Sequence, residues 1–467
     1  MKLFEQPNHS SAAMEGMPSL WAPGWQRPWF VVPVGCGLVA AIAIALQWWP
    51  VLAILVSLAV IVLVPIEFAF CLLAFSIPFD SVSQLTGNVT LTFLIAAGSG
   101  LILMITALVG LRFQMMRKTA LLFLLFFVWT AMSTFWALNT ELSMERLSAV
   151  AAIGALYLIA VSMRFSNVEF EWIRRLTVLG GGIASAVALY QFAHGVTVAS
   201  RASIVIGANS TNPNELGASL LLPVSFAVGG VLWGRGIKRM LAALFAVLML
   251  VCMALTMSRG VFAALIVMTA VYVWRKGVDW RLIVLLGCMA VAALIPSDLV
   301  VTRVETALSS RAQGRFDIWL VGVEVVRHHG LLGVGLDNFP YAFQKYAGHQ
   351  VVFRTFSEAA HNIYLQAFAE TGVIGLLLFT GALRLQMKEL GRALKEASER
   401  TKEVLIPCEA AAWALITHAL VANLLWRKMF WFNWIVAAVA VQVAHSCTRY
   451  ESSIAKCETI IPEETGK

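Results

Sequence analysis

A single stretch dense in arginine and histidine carries the side chains of this sequence best suited to chemistry. Between residues 296 and 361 stand Arg303, Arg311, Arg315, Arg327 and Arg354, and the segment ends on His361. A guanidinium presents a rigid fork of N–H donors that matches phosphate oxygens, and it can stabilise charge building on a leaving phosphate. A histidine beside a helix start is disfavoured as imidazolium, so it can take a proton from a hydroxyl. Phosphate binding and proton abstraction are therefore the two chemistries on offer.

Each candidate also has a plainer reading. Arg259 follows Ser258, an expected N-cap, and a helix start already carries partial positive charge, so a cation there asks for an anion. A pyrophosphate at a membrane surface would fit; snorkelling to lipid phosphates is the alternative. Arg315 lies four residues before Trp319, which puts both on one helical face and allows the guanidinium to stack on the indole. Its alternative is an ion pair with Asp317, Glu324 or Glu358. Arg311 could share the role of Arg315, and Arg201, in ASRASIVIGANSTNPNELG, is a further candidate. For His361 the alternative is helix capping or packing.

Other cofactor chemistry has little support. His328 and His329 end a helical stretch where the dipole favours their charged form. Glu324 and His328 are spaced i and i+4, too few ligands for zinc. Gly333-x-Gly335 lacks the preceding strand of a dinucleotide site and reads as a tight turn whose N–H groups could meet phosphate. NSTNPNELG at 209–217 reads as an N-cap entering a span, with Asn212 and Asn214 able to bond sugar hydroxyls.

The elements that must position these residues are transmembrane helices. The 467 residues are 60% hydrophobic and only 13% charged, and mean hydropathy is +0.80. That composition predicts an all-α polytopic membrane protein. Apolar runs at 29–46, 50–64, 91–111, 120–136, 147–163, 176–192, 215–233, 241–257, 261–274, 282–295, 363–383, 404–426 and 430–445 are expected to cross. With 66–79 as a short crossing or a dip, this gives about 12–14 spans. Basic loops at 112–118, 164–175, 235–239, 275–281 and 384–402 fall on one side, cytoplasmic by the positive-inside rule. Segments 80–90, 139–145, 194–214, 258–260 and 297–361 then lie outside, where clustered arginines need a reason such as an anionic ligand. Arg427 and Lys428, in an outer turn, break the rule.

The expected organisation is a cytoplasmic tail at 1–28, helices at 29–296, an outer catalytic loop at 297–361, helices at 362–447 and a cytoplasmic tail at 448–467. Within the loop, 315–329 has helical periodicity, with Phe316, Leu320 and Val323 as its apolar stripe and Asp317, Glu324 and His328 as its polar one. The loop is read as a helical lid. A net charge of +8 sits mostly in short loops beside lipid headgroups, so no nucleic-acid partner is expected. Cys36, Cys71, Cys252 and Cys288 lie in or beside apolar spans, and Cys408, Cys447 and Cys457 lie towards the cytoplasm. The outer loop has no cysteine, which removes a disulfide framework or Cys-based zinc site. The polar 1–27 segment lacks the pattern of a cleavable signal, so the first span is expected to be an uncleaved anchor.

SRG at 258–260, GRFDIW at 314–319, GVGLDNF at 333–339 and HNIYLQAFAETG at 361–372 occur in this order around one loop. Together they resemble the bacterial O-antigen ligase and polysaccharide polymerase superfamily over roughly residues 200–375. The resemblance implies transfer of a glycan from undecaprenyl pyrophosphate to an acceptor hydroxyl at the periplasmic face of the inner membrane, with no metal and no other cofactor. It implies arginines on the pyrophosphate, here Arg259 and Arg315 with Arg311, and a histidine activating the acceptor, here His361. The implied partners are the lipid-linked donor, a glycan or lipid A–core acceptor, the lipid bilayer and a chain-length regulator. GANSTNPNELGASL resembles exopolysaccharide polymerases, which favours polymerisation of repeat units. The alternatives are ligation to lipid A–core, protein O-oligosaccharyl transfer, and a transporter or flippase. Against transport, the spans are expected to hold few ionisable residues, Glu67 foremost.

Overall fold

In hydrocarbon every backbone N–H and C=O must be satisfied within the chain, so the apolar runs become helices. The computed structural model describes residues 66–86, 89–110, 114, 117–284, 287, 315–347 and 359–460. The spans expected at 29–46 and 50–64, most of 282–295, and Arg303, Arg311 and Arg354 lie outside the described residues.

Helix α1 (Ile66–Ser76) runs into a 3₁₀ turn (Ile77–Val82), and an antiparallel hairpin of β1 (Gln84–Thr86) and β2 (Val89–Thr90) leads to α2 (Leu91–Gly110). Next come α3 (Lys118–Met132), α4 (Thr140–Ser162) and α5 (Asn167–Ala193), then a second hairpin, β3 (Val205–Ile206) with β4 (Asn209–Ser210). Short α6 (Pro213–Ser219) bends by 40° into α7 (Leu221–Trp233), followed by α8 (Gly236–Leu255) and α9 (Arg259–Lys276). Beyond them lie α10 (Arg315–His329), α11 (Phe339–Tyr346), α12 (Ile363–Glu396), α13 (Glu399–Ala419) and α14 (Lys428–Ile460).

Among the described residues six helices are long and apolar enough to cross a membrane: α3 with its 3₁₀ extension, α4, α5, α8, α12 and α14; the bent α6–α7 pair makes a seventh. Outward-facing side chains such as Leu121, Leu244, Ile266 and Leu377 are exposed and apolar, as a lipid-facing surface requires. The interior holds an aromatic cluster in which Trp431 meets Phe127 at 4.6 Å and Phe123 edge-on at 5.3 Å.

Ion pairs tie each end of the bundle separately. At one end Arg275 makes a bidentate pair with Glu409 (2.6 and 2.7 Å), and Thr119 donates to Glu389 (2.6 Å). At the other, Lys428 pairs with Asp80 (2.6 Å), Arg427 with Glu215 (2.5 Å) and Arg146 with Asp337 (3.5 Å). The two cations that break the positive-inside rule are thus each neutralised by a carboxylate from a distant segment. Segments 139–145 and 297–361, expected on one side, are joined where Asn338 accepts from the Asn139 N–H (2.7 Å), and the Ala202 N–H donates to the Leu255 carbonyl at the end of α8 (2.9 Å).

Helix α10 forms where its periodicity places it, but turned. Ile318, Val321, Gly322 and Val325 are buried, whereas Phe316, Leu320 and Val323, the apolar stripe singled out in the sequence, are exposed at 56%, 68% and 45%. Both sets fit a 3.6-residue period, so apolarity alone does not choose between them. Gly322 decides: a Cβ there would come within 2.6 Å of Leu365, so α10 packs against α12 on its small-residue face.

Candidate functional site

Arg259 opens α9 as expected, and Ser258 holds the N-cap position (φ −91°, ψ 111°), although its side chain makes no capping hydrogen bond. Met257, just before, has φ of 49°, so the turn into α9 runs through the left-handed region. Arg259 is exposed and Arg315, in the first turn of α10, is half-buried. The two guanidinium groups are neighbours: burial first, and the charge of Arg259 second, hold Arg315 below the usual arginine range. Among the described residues neither makes an ion pair. Glu324, offered above as an alternative partner of Arg315, faces Arg327 (3.3 Å) and His328 (3.6 Å) instead.

The expected stack of Arg315 on Trp319 is not formed. The indole packs edge-on with Phe316 (5.6 Å), and its Nε1 donates to the Ala360 carbonyl (3.1 Å). That bond joins GRFDIW to the residue before His361, one turn from Arg315. Asn362, not His361, caps α12: its Oδ1 accepts from the N–H groups of Tyr364 (2.9 Å) and Leu365 (3.0 Å). His361 sits just outside the helix, half-buried, at φ of 47°. The capping reading for this histidine therefore falls.

Arg201 is engaged with protein: Nε donates to the Thr256 carbonyl (2.5 Å) and Nη2 to Asn214 Oδ1 (2.6 Å). It fastens the second hairpin to the turn leading into Arg259. Asn212 is the N-cap of α6, accepting from the Asn214 N–H (2.9 Å), so both asparagines have structural duties.

The glycine-rich turn also differs from expectation. Its N–H groups are spent on the protein: Gly333 to the His329 carbonyl (2.7 Å), Val334 to Ala369 (2.8 Å) and Gly335 to Glu370 (2.9 Å). They are not offered to phosphate. The acceptors become available because α12 breaks at Gly372 (φ 68°, ψ −173°), a conformation that glycine alone adopts readily. The Val373 N–H then donates to the Gly330 carbonyl (2.8 Å), and Trp129 Nε1 to Thr371 (2.8 Å). At the end of α10, His329 Nε2 meets the Tyr346 hydroxyl (2.8 Å). Burial first, then Lys345 and His328, hold its pKa below the ordinary histidine value, opposite to the dipole expectation. Glu324 and His328 gain no third acidic, histidine or cysteine neighbour suited to a metal among the described residues.

Three ionisable groups escaped the sequence reading, which saw few inside spans. Glu370 is fully buried and accepts from Gln366 Nε2 (2.9 Å) and Trp426 Nε1 (3.2 Å). His418 is 1% exposed in the last turn of α13. Glu409 is buried in its pair with Arg275. Glu370 was visible as the acid of AFAETG; His418 and Glu409 stand singly in apolar sequence with no pattern around them. Asp337, at φ of 57° beside Arg146, is held above the usual carboxylate range by burial, which outweighs the opposing pull of Arg146 and Arg427.

The chain is a multi-pass helical membrane protein in which, among the described residues, two arginines stand together without an acid and α10 is bonded to the residue before His361. Residues 244–380 match the family described as O-antigen ligase. The match takes in SRG, GRFDIW and HNIYLQAFAETG, so over this part the chain is similar to that family, as the order of these motifs leads one to expect. No curated protein gives a match.

Proposed function

We propose that this protein transfers a glycan from undecaprenyl pyrophosphate to an acceptor sugar hydroxyl at the periplasmic face of the bacterial inner membrane, polymerising exopolysaccharide or O-antigen repeat units. One observation carries the reading: among the described residues Arg259 and Arg315 lie close enough to repel and neither has a carboxylate, whereas Arg146, Arg327, Arg427 and Lys428 each do. An anionic ligand is what makes such an arrangement favourable.

In this mechanism His361 takes the proton of the acceptor hydroxyl as its oxygen attacks the anomeric carbon. The bond from that carbon to the pyrophosphate oxygen breaks, and the lipid pyrophosphate leaves with both electrons. Arg259 and Arg315 stabilise its charge, so the residues alone account for the reaction without a metal. Ligation onto lipid A–core uses the same donor chemistry, and the matched family's description favours it as the second reading.

The test of activity is purified protein with a lipid-linked repeat unit as both donor and acceptor. Longer glycans support polymerisation; glycan appearing only on lipid A–core supports ligation; no product with either acceptor contradicts glycan transfer. Sidedness is tested with Arg327→Cys, a site 72% exposed, in a background lacking the seven native cysteines. Labelling of intact spheroplasts by an impermeant thiol reagent is expected, and labelling only after lysis would contradict the periplasmic assignment.

A further inference from the structure

His418 is buried at 1% exposure, yet among the described residues neither ring nitrogen makes a hydrogen bond of good geometry. A buried polar group without a partner costs free energy that an apolar side chain in the same place would avoid. The ring rests against the backbone of Gly260 and Asn214, and Arg315 lies near enough to act on it electrostatically. A Cβ on Gly260 would stand 2.7 Å from His418 Nδ1, so the glycine of SRG leaves the imidazole room over the first turn of α9. The first N–H groups of a helix have no partner within it and attract anions. A helix start, an exposed arginine, a half-buried arginine and a buried imidazole whose approaches to the Gly260 and Asn214 backbone fall short of good hydrogen-bond geometry therefore converge on one place.

We propose that His418 is a further binding residue of this site, donating a ring N–H to a phosphate oxygen of the lipid pyrophosphate seated at the start of α9. The inference rests on the pyrophosphate reading of Arg259 and Arg315, and deepens it. It gives the deepest part of the site a donor that is not an arginine and that reaches the ligand from α13, outside the matched segment.

The test uses farnesyl pyrophosphate as the probe, in detergent, with the purified full chain. The ring ¹⁵N resonances of His418, identified by their loss in His418→Gln among the protein's 8 histidines, should shift on titration. His418→Leu should weaken binding by about ten-fold or more, while His418→Gln, which keeps an N–H donor, should retain most of it. Wild-type affinity in His418→Leu alongside lost binding in Arg315→Ala would overturn the role of His418 and leave the arginine reading standing. Wild-type affinity in both Arg259→Ala and Arg315→Ala would overturn the arginine reading and this one with it. An equal response to phosphatidylglycerol would also overturn it, since the site would then be one for headgroup phosphates. Should His418→Leu fail to fold, the wild-type resonances decide: unmoved ring signals at saturating probe contradict the proposal.

Discussion

Gly260→Ala is the substitution whose effect is most directly calculable. The added methyl would lie 2.6 Å from Val421 Cγ2 and 2.7 Å from His418 Nδ1, roughly 1 Å inside ordinary contact. Both neighbours are on or just beyond the last turn of α13, the helix that packs most extensively against α9. Neither the branched Val421 nor the enclosed imidazole is the loose end of a flexible chain, so α9 and α13 must separate or the ring must turn. Overpacking of this kind costs about 1–3 kcal/mol. Thermal unfolding in detergent should show the loss, and the His418→Ala, Gly260→Ala double variant should recover part of it, as expected for residues in direct contact. Recovery should extend to stability and not to farnesyl pyrophosphate binding, because the double variant still lacks the imidazole. A Gly260→Ala protein as stable as wild type, with unchanged binding, would refute the close approach of α9 to α13 from which this is reasoned.

Gly372→Ala would force an L side chain into φ 68°, ψ −173° and drive its methyl into the Leu331 carbonyl. A loss of about 3 kcal/mol or more is expected, read as a fall in folded yield and thermostability. Glu215→Gln would leave Arg427 without its carboxylate and should destabilise the protein, while Glu215→Gln with Arg427→Gln should restore stability; equal stability of the two variants would contradict the pairing. His329 gives the lid a pH dependence. Its folded pKa is depressed, so above about pH 6.5 both folded and unfolded forms are neutral and its contribution to stability is fully present. As pH falls below that and towards the folded value, the unfolded form takes up the proton first and the contribution is lost. Hydrogen exchange in α10 and α11 should therefore speed up on acidification beyond its intrinsic pH dependence, and His329→Gln should flatten that change.

Composition made the membrane class legible, because no soluble domain could bury so much apolar surface. Charge alternation put segments 139–145 and 297–361 on one side, and Asn139 and Asn338 from these segments are hydrogen-bonded. Its apparent exceptions, Arg427 and Lys428, needed Glu215 and Asp80, 212 and 348 residues away, which no local pattern could supply. The helix starts at Arg259, at Arg315 and just after His361 were legible because each stands in a motif with an apolar run behind it. The orientation of α10 was not, since two apolar stripes share one period and only Gly322 marks the packed face. The spacing of Trp319 suggests a stacking platform, but its indole N–H donates to the Ala360 carbonyl, a partner fixed by tertiary contact. His418 shows the same limit: a lone histidine in an apolar run acquires meaning only when α13 brings it over Gly260.

In the proposed mechanism arginines hold the donor and His361 serves the acceptor, and purified protein separates the two roles. For His361→Ala, farnesyl pyrophosphate affinity should remain at the wild-type level while glycan transfer falls by about 10²–10⁴-fold. Arg315→Lys should lose affinity itself, because a lysine keeps the charge but not the bidentate fork. Both assays are run with EDTA, in which wild-type transfer should persist. Transfer by His361→Ala at the wild-type rate, or its loss only in step with donor affinity, would contradict the account.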